Sequence, residues 1–471
     1  MELSQQGWDE EYFLKEVQKH LNEWPTGKEI DLAEVIKYQK AMPEERKFVK
    51  AALKARAEGR TLLGVVTGKP APQEQVEELQ YVEPAVDYFQ IVADSLTRNG
   101  RFKEAEHGLQ QGLEKGKNII NGFPFVIHGL QTSRNVLESV RCPIQSPFPI
   151  SNSQLTGIMA IAAGVTHISY NVSLVLAQDS RSSLERMILF CQFMDRLIGY
   201  LDERDVYISK YPTTLTAAPL PPSISIAWLI IDALMAAEQG VKYFELFYPV
   251  NSCVLQDLAA LSIAGGLCED YLARRGHQDV TVFISSATNV SAFPRDASKA
   301  IARVLHDAVI GAYAKVVRQH FKTGEEAFGI PSKEATLEAA KAVRMTFDML
   351  RKETYSHGPD FLQEAKMIEQ ETRAIVDKVL EIGEGDVIRG MVKSIELGVL
   401  DIPYCVSSLV AGKCLAIRDA KRAVRYLEHG NLPFNKEIVA YHREKIAERR
   451  HQEGKKDWAM IVEDIRAEAE A

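Results

Sequence analysis

Trp8, Tyr12, Phe13, Val17 and Leu21 recur at spacings of three and four, a pattern that lines one face of a helix. The residues around them, to about position 58, are charged, so residues 1–58 read as a helical arm packed on a larger body. From about Thr61 the texture changes. Short β-rich runs at Thr61 to Val66, Thr166 to Tyr170, Tyr243 to Tyr248 and Val280 to Ser285 alternate with long helical patterns. The segment from Ser332 shows the helical type: Ser332 is placed to cap the first turn, and Leu337, Ala340, Val343, Phe347 and Leu350 then recur on one face. Repeated strand–helix units predict a parallel sheet, either open and doubly wound or closed as a barrel, and the pattern alone does not choose. The strand–helix body is expected over 59–380. Residues 381–471 return to charged helix and loop, and the mixed-charge run Tyr441 to Lys456 predicts a solvated helical face.

Composition changes this picture little. An apolar fraction of 46% with 25% charged residues is ordinary for a globular enzyme. No apolar stretch approaches the roughly 20 residues that span a bilayer, and the N-terminus lacks a basic region followed by an apolar core, so a cytoplasmic location is expected. A net charge of -8 argues against nucleic acid as a partner, because phosphate-backbone binding needs clustered Lys and Arg. The six cysteines are scattered without the close spacing of a zinc or dithiol site, and the eleven histidines form no H-x-x-x-H pair. A metal held by this chain alone is not expected.

Specific motifs add more. Glu23-Trp24-Pro25-Thr26-Gly27-Lys28-Glu29-Ile30-Asp31, Ile120-Asn121-Gly122-Phe123-Pro124, Ile168-Ser169-Tyr170-Asn171-Val172, Ala236-Ala237-Glu238-Gln239-Gly240-Val241-Lys242, Gly329-Ile330-Pro331-Ser332-Lys333-Glu334-Ala335, Asp401-Ile402-Pro403 and Arg425-Tyr426-Leu427-Glu428 occur in that order. Together they resemble the glutamate mutase ε subunit family over nearly the whole chain. The resemblance selects a (β/α)8 barrel whose cavity holds substrate and an adenosyl group. It implies adenosylcobalamin as cofactor, contacted by Gly68, Asn121, Phe293, Lys322, Glu326 and Ile330, all of which are the family's residue types. The cobalt-ligating Asp-x-His-x-x-Gly motif does not occur here. A separate small Rossmann-like cobalamin-binding subunit, the σ component, is therefore the implied partner, with two large subunits forming a homodimer inside a heterotetramer.

The substrate end departs from the family. Of three arginines that grip the two carboxylates of glutamate, only Arg98 is recognisable; the others fall on Val66 and Pro147, and the following His on Phe148. The loop that carries the family's proton-accepting Glu is shortened, so His167 runs directly into Ile168-Ser169-Tyr170. Tyr170 is kept from the family's substrate site, whereas a second tyrosine falls on Leu174 and a cofactor-contact proline on Ser173. Each Arg–carboxylate hydrogen bond is worth about 1.5 to 3 kcal/mol, so the loss of two partners costs about 3 to 6 kcal/mol. Val66, Phe148 and Leu174 would surround a second carboxylate with apolar groups, where a charge is expensive. A smaller demand for charge is implied: a monocarboxylic, less polar amino or oxo acid, bound by Arg98 and Tyr170. His167 either replaces the lost Glu as a base or is hydrogen-bonded at a strand end, and an oxo acid needs no base at all. Two other functions stay open at this point, an inactive mutase-like scaffold for a cobalamin-binding partner and glutamate mutase itself.

Overall fold

The computed structural model describes residues 3, 5–147, 153–178, 183–212, 219–288, 293–329, 331–405 and 407–470. Eight parallel strands close into a barrel in chain order: β1 (Leu62–Thr67), β2 (Tyr88–Ile91), β3 (Ile144–Pro147), β4 (His167–Ser169), β5 (Ser209–Lys210), β6 (Tyr243–Pro249), β7 (Thr281–Ala287) and β8 (Arg318–His320). The barrel form is thus the one adopted, and β1 seals it by pairing Leu62 with Arg318 and Gly64 with His320. Helices connect successive strands, and helix Pro222–Glu238 is apolar on almost every side because it is enclosed. Helix Pro359–Ile382 covers it from outside together with helix Val254–Arg274. Among the described residues no helix is long and apolar enough to cross a membrane.

Alternation along each strand sends one set of side chains to the barrel axis and the other to the helices. Gly64 faces the axis, where an added Cβ would stand 2.3 Å from the Tyr88 ring, so the glycine makes room for that ring. Buried Arg318 lies at the centre. Its Nε donates to Glu245 at 2.8 Å and its Nη1 to the Tyr88 hydroxyl at 3.1 Å and to Gln145 Oε1 at 3.0 Å. Its Nη2 also donates to Glu245, and Ser285 Oγ adds a bond to the same carboxylate at 2.6 Å. The rings of Phe247, Tyr211 and Tyr88 pack around the guanidinium at 4.4, 4.7 and 5.2 Å.

The helical arm closes the lower end of this barrel. Phe48, at the start of helix Phe48–Glu58, stacks on His167 at 3.6 Å and joins Leu62, Tyr88, Phe283 and Val317 in one apolar cluster. Helix Glu10–Leu21 is capped by Asp9 and buries Phe13, Val17 and Leu21, with Trp8 and Phe13 against Phe193. The Trp-Pro-Thr-Gly run is a packing device: Trp24 meets Phe102 at 5.5 Å, Thr26 Oγ1 donates to Val126 O, and a Cβ on Gly27 would lie 2.4 Å from Leu21 O.

Outside the barrel wall a second charged cluster is sealed between strands and helices. Lys210 on β5 points outward, with Nζ 2.9 Å from Asp195 and 3.1 Å from Asp232, and the Tyr170 hydroxyl donates to Asp195 at 2.6 Å. Burial, opposed by Lys210 and reinforced by Asp195, pushes the Asp232 carboxyl up to about 7. Two carboxylates sharing one ammonium in an apolar wall favour one retained proton.

The C-terminal region departs from the helix-and-loop expectation in one respect. A two-stranded antiparallel hairpin, β9 (Cys414–Arg418) and β10 (Val424–His429), packs against helices Lys436–Glu453 and Asp457–Glu470 and is bonded to helix Pro359–Ile382. Arg425 makes two 2.7 Å bonds to Glu364 and one to Asp419. The mixed-charge run is likewise only partly solvated. Within helix Lys436–Glu453, His442 meets Glu371 at 2.9 Å and Arg449 meets Asp464 at 2.8 Å, both buried. Paired charges at these positions read as surface in the sequence because the partners are distant along the chain.

Phe48→Ala should destabilise the chain by about 3–5 kcal/mol in urea unfolding, since it opens a cavity over His167. Asp232 has a folded pKa above its unfolded value, so its contribution is full below about pH 4 and is lost as pH rises to about 7. Asp232→Asn removes that term. The stability of the variant relative to the parent should rise by on the order of 1 kcal/mol per pH unit between those limits and level off above them; a flat difference would refute the assignment.

Candidate functional site at the barrel mouth

The retained arginine is set by a short capped turn. Beyond β2, buried Asp94 caps helix Ser95–Arg98 by accepting from Leu96 N at 2.9 Å and Thr97 N at 3.0 Å, and Thr97 Oγ1 also donates to it. Thr156 Oγ1 donates to Thr97 O at 3.0 Å and ties this turn to helix Gln154–Ala163. Arg98 closes the turn. Its guanidinium is half-buried, its Nε is enclosed, and among the described residues nothing accepts a hydrogen bond from it. Burial lowers its pKa while the Asp94 charge opposes that change, and a guanidinium stays charged regardless. A desolvated cation with unused donors is a receptor for a carboxylate.

Two glycines hold the neighbouring loops in place. Segment Asn121 to Phe123 lies along the end of β2 through Phe123 N to Val92 O at 2.8 Å and Asp94 N to Phe123 O at 3.3 Å. Gly122 has φ of 94°, and a Cβ there would stand 2.7 Å from Val92 O. Gly68, just beyond β1, has Gly122 Cα 3.2 Å from where its Cβ would be. Close contact between loops is thus one reason for glycine at 68. Ser95 Oγ donates to Asn121 Oδ1 at 3.0 Å, which leaves the amide nitrogen of this exposed residue as a donor. Across the mouth, beyond β8, Lys322 pairs with Glu326 at 2.8 Å, both half-buried. Phe293, beyond β7, is half-buried with Arg303 at 5.5 Å. Gly68, Arg98, Asn121, Phe293, Lys322 and Glu326 thus all follow strand ends on one rim. Phe148 and Ile330 lie outside the described residues.

The other expected substrate contacts are dispersed. Val66 on β1 and Pro147 on β3 are half-exposed toward the axis, as a substrate lining requires. Tyr170 is not. His167 and Ser169 take the inward positions of β4, so Tyr170 falls on the outward side, fully buried and bonded to Asp195 behind the wall. Leu174, on helix Val172–Gln178, is buried, and Ser173 Oγ accepts from Asn171. His167 points inward but at the lower end of its strand, under Phe48 and 4.2 Å from Tyr211. Burial first, and then the Arg318 charge, holds its pKa well below the usual imidazole value. Among the described residues neither ring nitrogen has a hydrogen-bond partner, and Glu245 Oε2 stands 3.6 Å from Nε2. That position suits neither a base at the mouth nor a bonded strand-end histidine.

Sequence reasoning missed the polar axis itself. Gln90, Gln145, Glu245 and Arg318 each interrupt a short β-rich run, and a polar residue inside an apolar barrel strand is the available signal for an inward position.

Residues 42–471 match the family described as methylaspartate mutase E chain (MutE). The chain is 35% identical to the glutamate mutase epsilon subunit of Treponema denticola, covering 97% of this chain and 95% of that one. It is 33% identical to the same-named subunit of Desulfitobacterium hafniense, covering 99% and 98%, and 33% identical to that of Escherichia coli O157:H7, with the same coverage. A match that spans barrel, rim and C-terminal region alike means that this chain belongs to the methylaspartate mutase E chain family.

Proposed function

We propose that the chain is the large subunit of an adenosylcobalamin-dependent carbon-skeleton mutase whose substrate carries a single carboxylate, held by Arg98. The carrying observation is the guanidinium of Arg98 at the mouth, its Nε enclosed and without a bonded partner among the described residues, with Val66 and Pro147 standing where the family resemblance expects further arginines. A dicarboxylate would place its second charge against apolar walls with no matched cation. The relatives named above support the reaction class.

The rim residues suit an adenosyl group in their donor set. The free amide nitrogen of Asn121, the ammonium of Lys322 and the carboxylate of Glu326 offer donors and an acceptor for ribose hydroxyls and base edges. When bound, adenosylcobalamin supplies radical chemistry by cleavage of its cobalt–carbon bond. Arg98 fixes one end of the substrate, Val66 and Pro147 exclude water along it, and the closed lower end of the barrel confines the reacting atoms. The cobalt-ligating motif is absent from this chain. A small cobalamin-binding subunit is accordingly the partner, docked over the mouth, with large subunits paired in a heterotetramer.

The test combines the purified chain, a small cobalamin-binding protein and adenosylcobalamin under anaerobic conditions. Paramagnetic resonance should record a cobalt(II)–radical signal with a monocarboxylic oxo or amino acid and none with glutamate. A glutamate signal would refute the altered specificity, and tight partner binding with silence from a panel of monocarboxylates would favour the scaffold function. Arg98→Met should weaken binding of the responding acid by about ten- to hundredfold, the value of a charge-assisted bond, with the partner still bound; an unchanged affinity would remove Arg98 from the site.

A further inference from the structure

The polar axis beneath the mouth has a fixed direction, and that direction ends at one donor. Arg318 cannot accept a hydrogen bond, so its Nη1 contact at 3.0 Å identifies the near atom of the Gln145 amide as oxygen. Gln145 must then present its nitrogen on the other side, where it donates to Gln90 Oε1 at 2.7 Å. The Tyr211 hydroxyl donates to the same oxygen at 3.3 Å. With Oε1 doubly occupied, Gln90 faces the barrel interior with its Nε2 alone. That nitrogen donates to nothing among the described residues, and unlike the enclosed orphans it is not sealed from solvent. Gln90 pairs in register with half-exposed Val66 and sits two residues, about 7 Å, below Val92. Arg98 lies above it on the loop that follows the same strand.

From this relay we infer that Gln90 is a specificity-determining residue of the substrate site, and that it selects a neutral carbonyl-type acceptor at the end of the substrate remote from the Arg98-bound carboxylate. The inference rests on the one-carboxylate reading above and names what the rest of that substrate carries. Three features favour a neutral acceptor over a second carboxylate. The donor itself is uncharged, the Arg318 charge behind it is already neutralised by Glu245, and the flanking position is Val66. A donor whose orientation is locked by a buried ion pair loses little freedom when it binds, and a site built this way rejects analogues that lack the acceptor.

Pentanoate, 4-oxopentanoate and glutarate share a chain length and differ at the far end, so they serve as probes by isothermal titration with the full chain. The expected result is that 4-oxopentanoate binds about tenfold more tightly than pentanoate, the value of one well-made hydrogen bond. Gln90→Met should bring that ratio close to one, whereas a merely structural role would weaken both acids alike and keep the ratio. Gln90→Glu keeps the oxygen that accepts from Gln145 and Tyr211 but removes the donor, so it should also abolish the preference in a chain whose relay is intact. A wild-type ratio near one, undetectable binding of 4-oxopentanoate, or a preference that survives both substitutions would overturn the role of Gln90. In those cases a loss of pentanoate or glutarate binding in Arg98→Met would leave the Arg98 reading standing. Glutarate binding more tightly than both other probes would overturn the one-carboxylate reading and this inference with it.

Discussion

The buried pair of Arg318 and Glu245 at the barrel axis is the constraint from which the rest of the interior follows. Removing two charges from water costs several kcal/mol per ion, and only good geometry with every remaining donor used offsets that cost. The chain meets the requirement by surrounding the guanidinium with Glu245, Tyr88 and Gln145 as acceptors and with three aromatic faces. The acceptors come from β2, β3 and β6 and the arginine from β8, so the pair also ties together strands that are far apart in the sequence.

A second buried charge cluster sits on the opposite side of the wall, and the two differ in what they hold. The axis pair organises groups that face the cavity. Lys210 with Asp195 and Asp232 joins β5 to the helices Leu184–Asp202 and Pro222–Glu238 and takes Tyr170 with it. Strand parity decides between these fates: one residue's shift along β4 exchanges the cavity for the wall. The helical arm covers the lower end, because Phe48 lies over His167 there.

At that upper end the rim and the lining carry different kinds of group. Lys322, Glu326, Asn121 and Arg98 keep polar or charged groups around the mouth, while Val66 and Pro147 make the inward positions below it apolar. Beside Val66 the lining becomes polar through Gln90, but polar without net charge.

Much of this was legible in the sequence. Alternating strand and helix signals gave the body, the 3.6-residue spacing gave the arm and the Ser332-capped helix, and ordered motifs selected the closed barrel. Those features are local: periodicity, capping and motif spacing are properties of neighbouring residues. What the sequence left undetermined is pairing across distance. The inward or outward sense of Tyr170, the depth of His167 under Phe48, the partners of Arg449 and His442 and the relay from Glu245 through Arg318 and Gln145 to Gln90 depend on strand register and on contacts between segments tens to hundreds of residues apart. A residue's type sets which bonds it is able to make, whereas the closed barrel sets which group stands opposite it, and only the second decides whether a polar side chain binds a ligand or holds the wall.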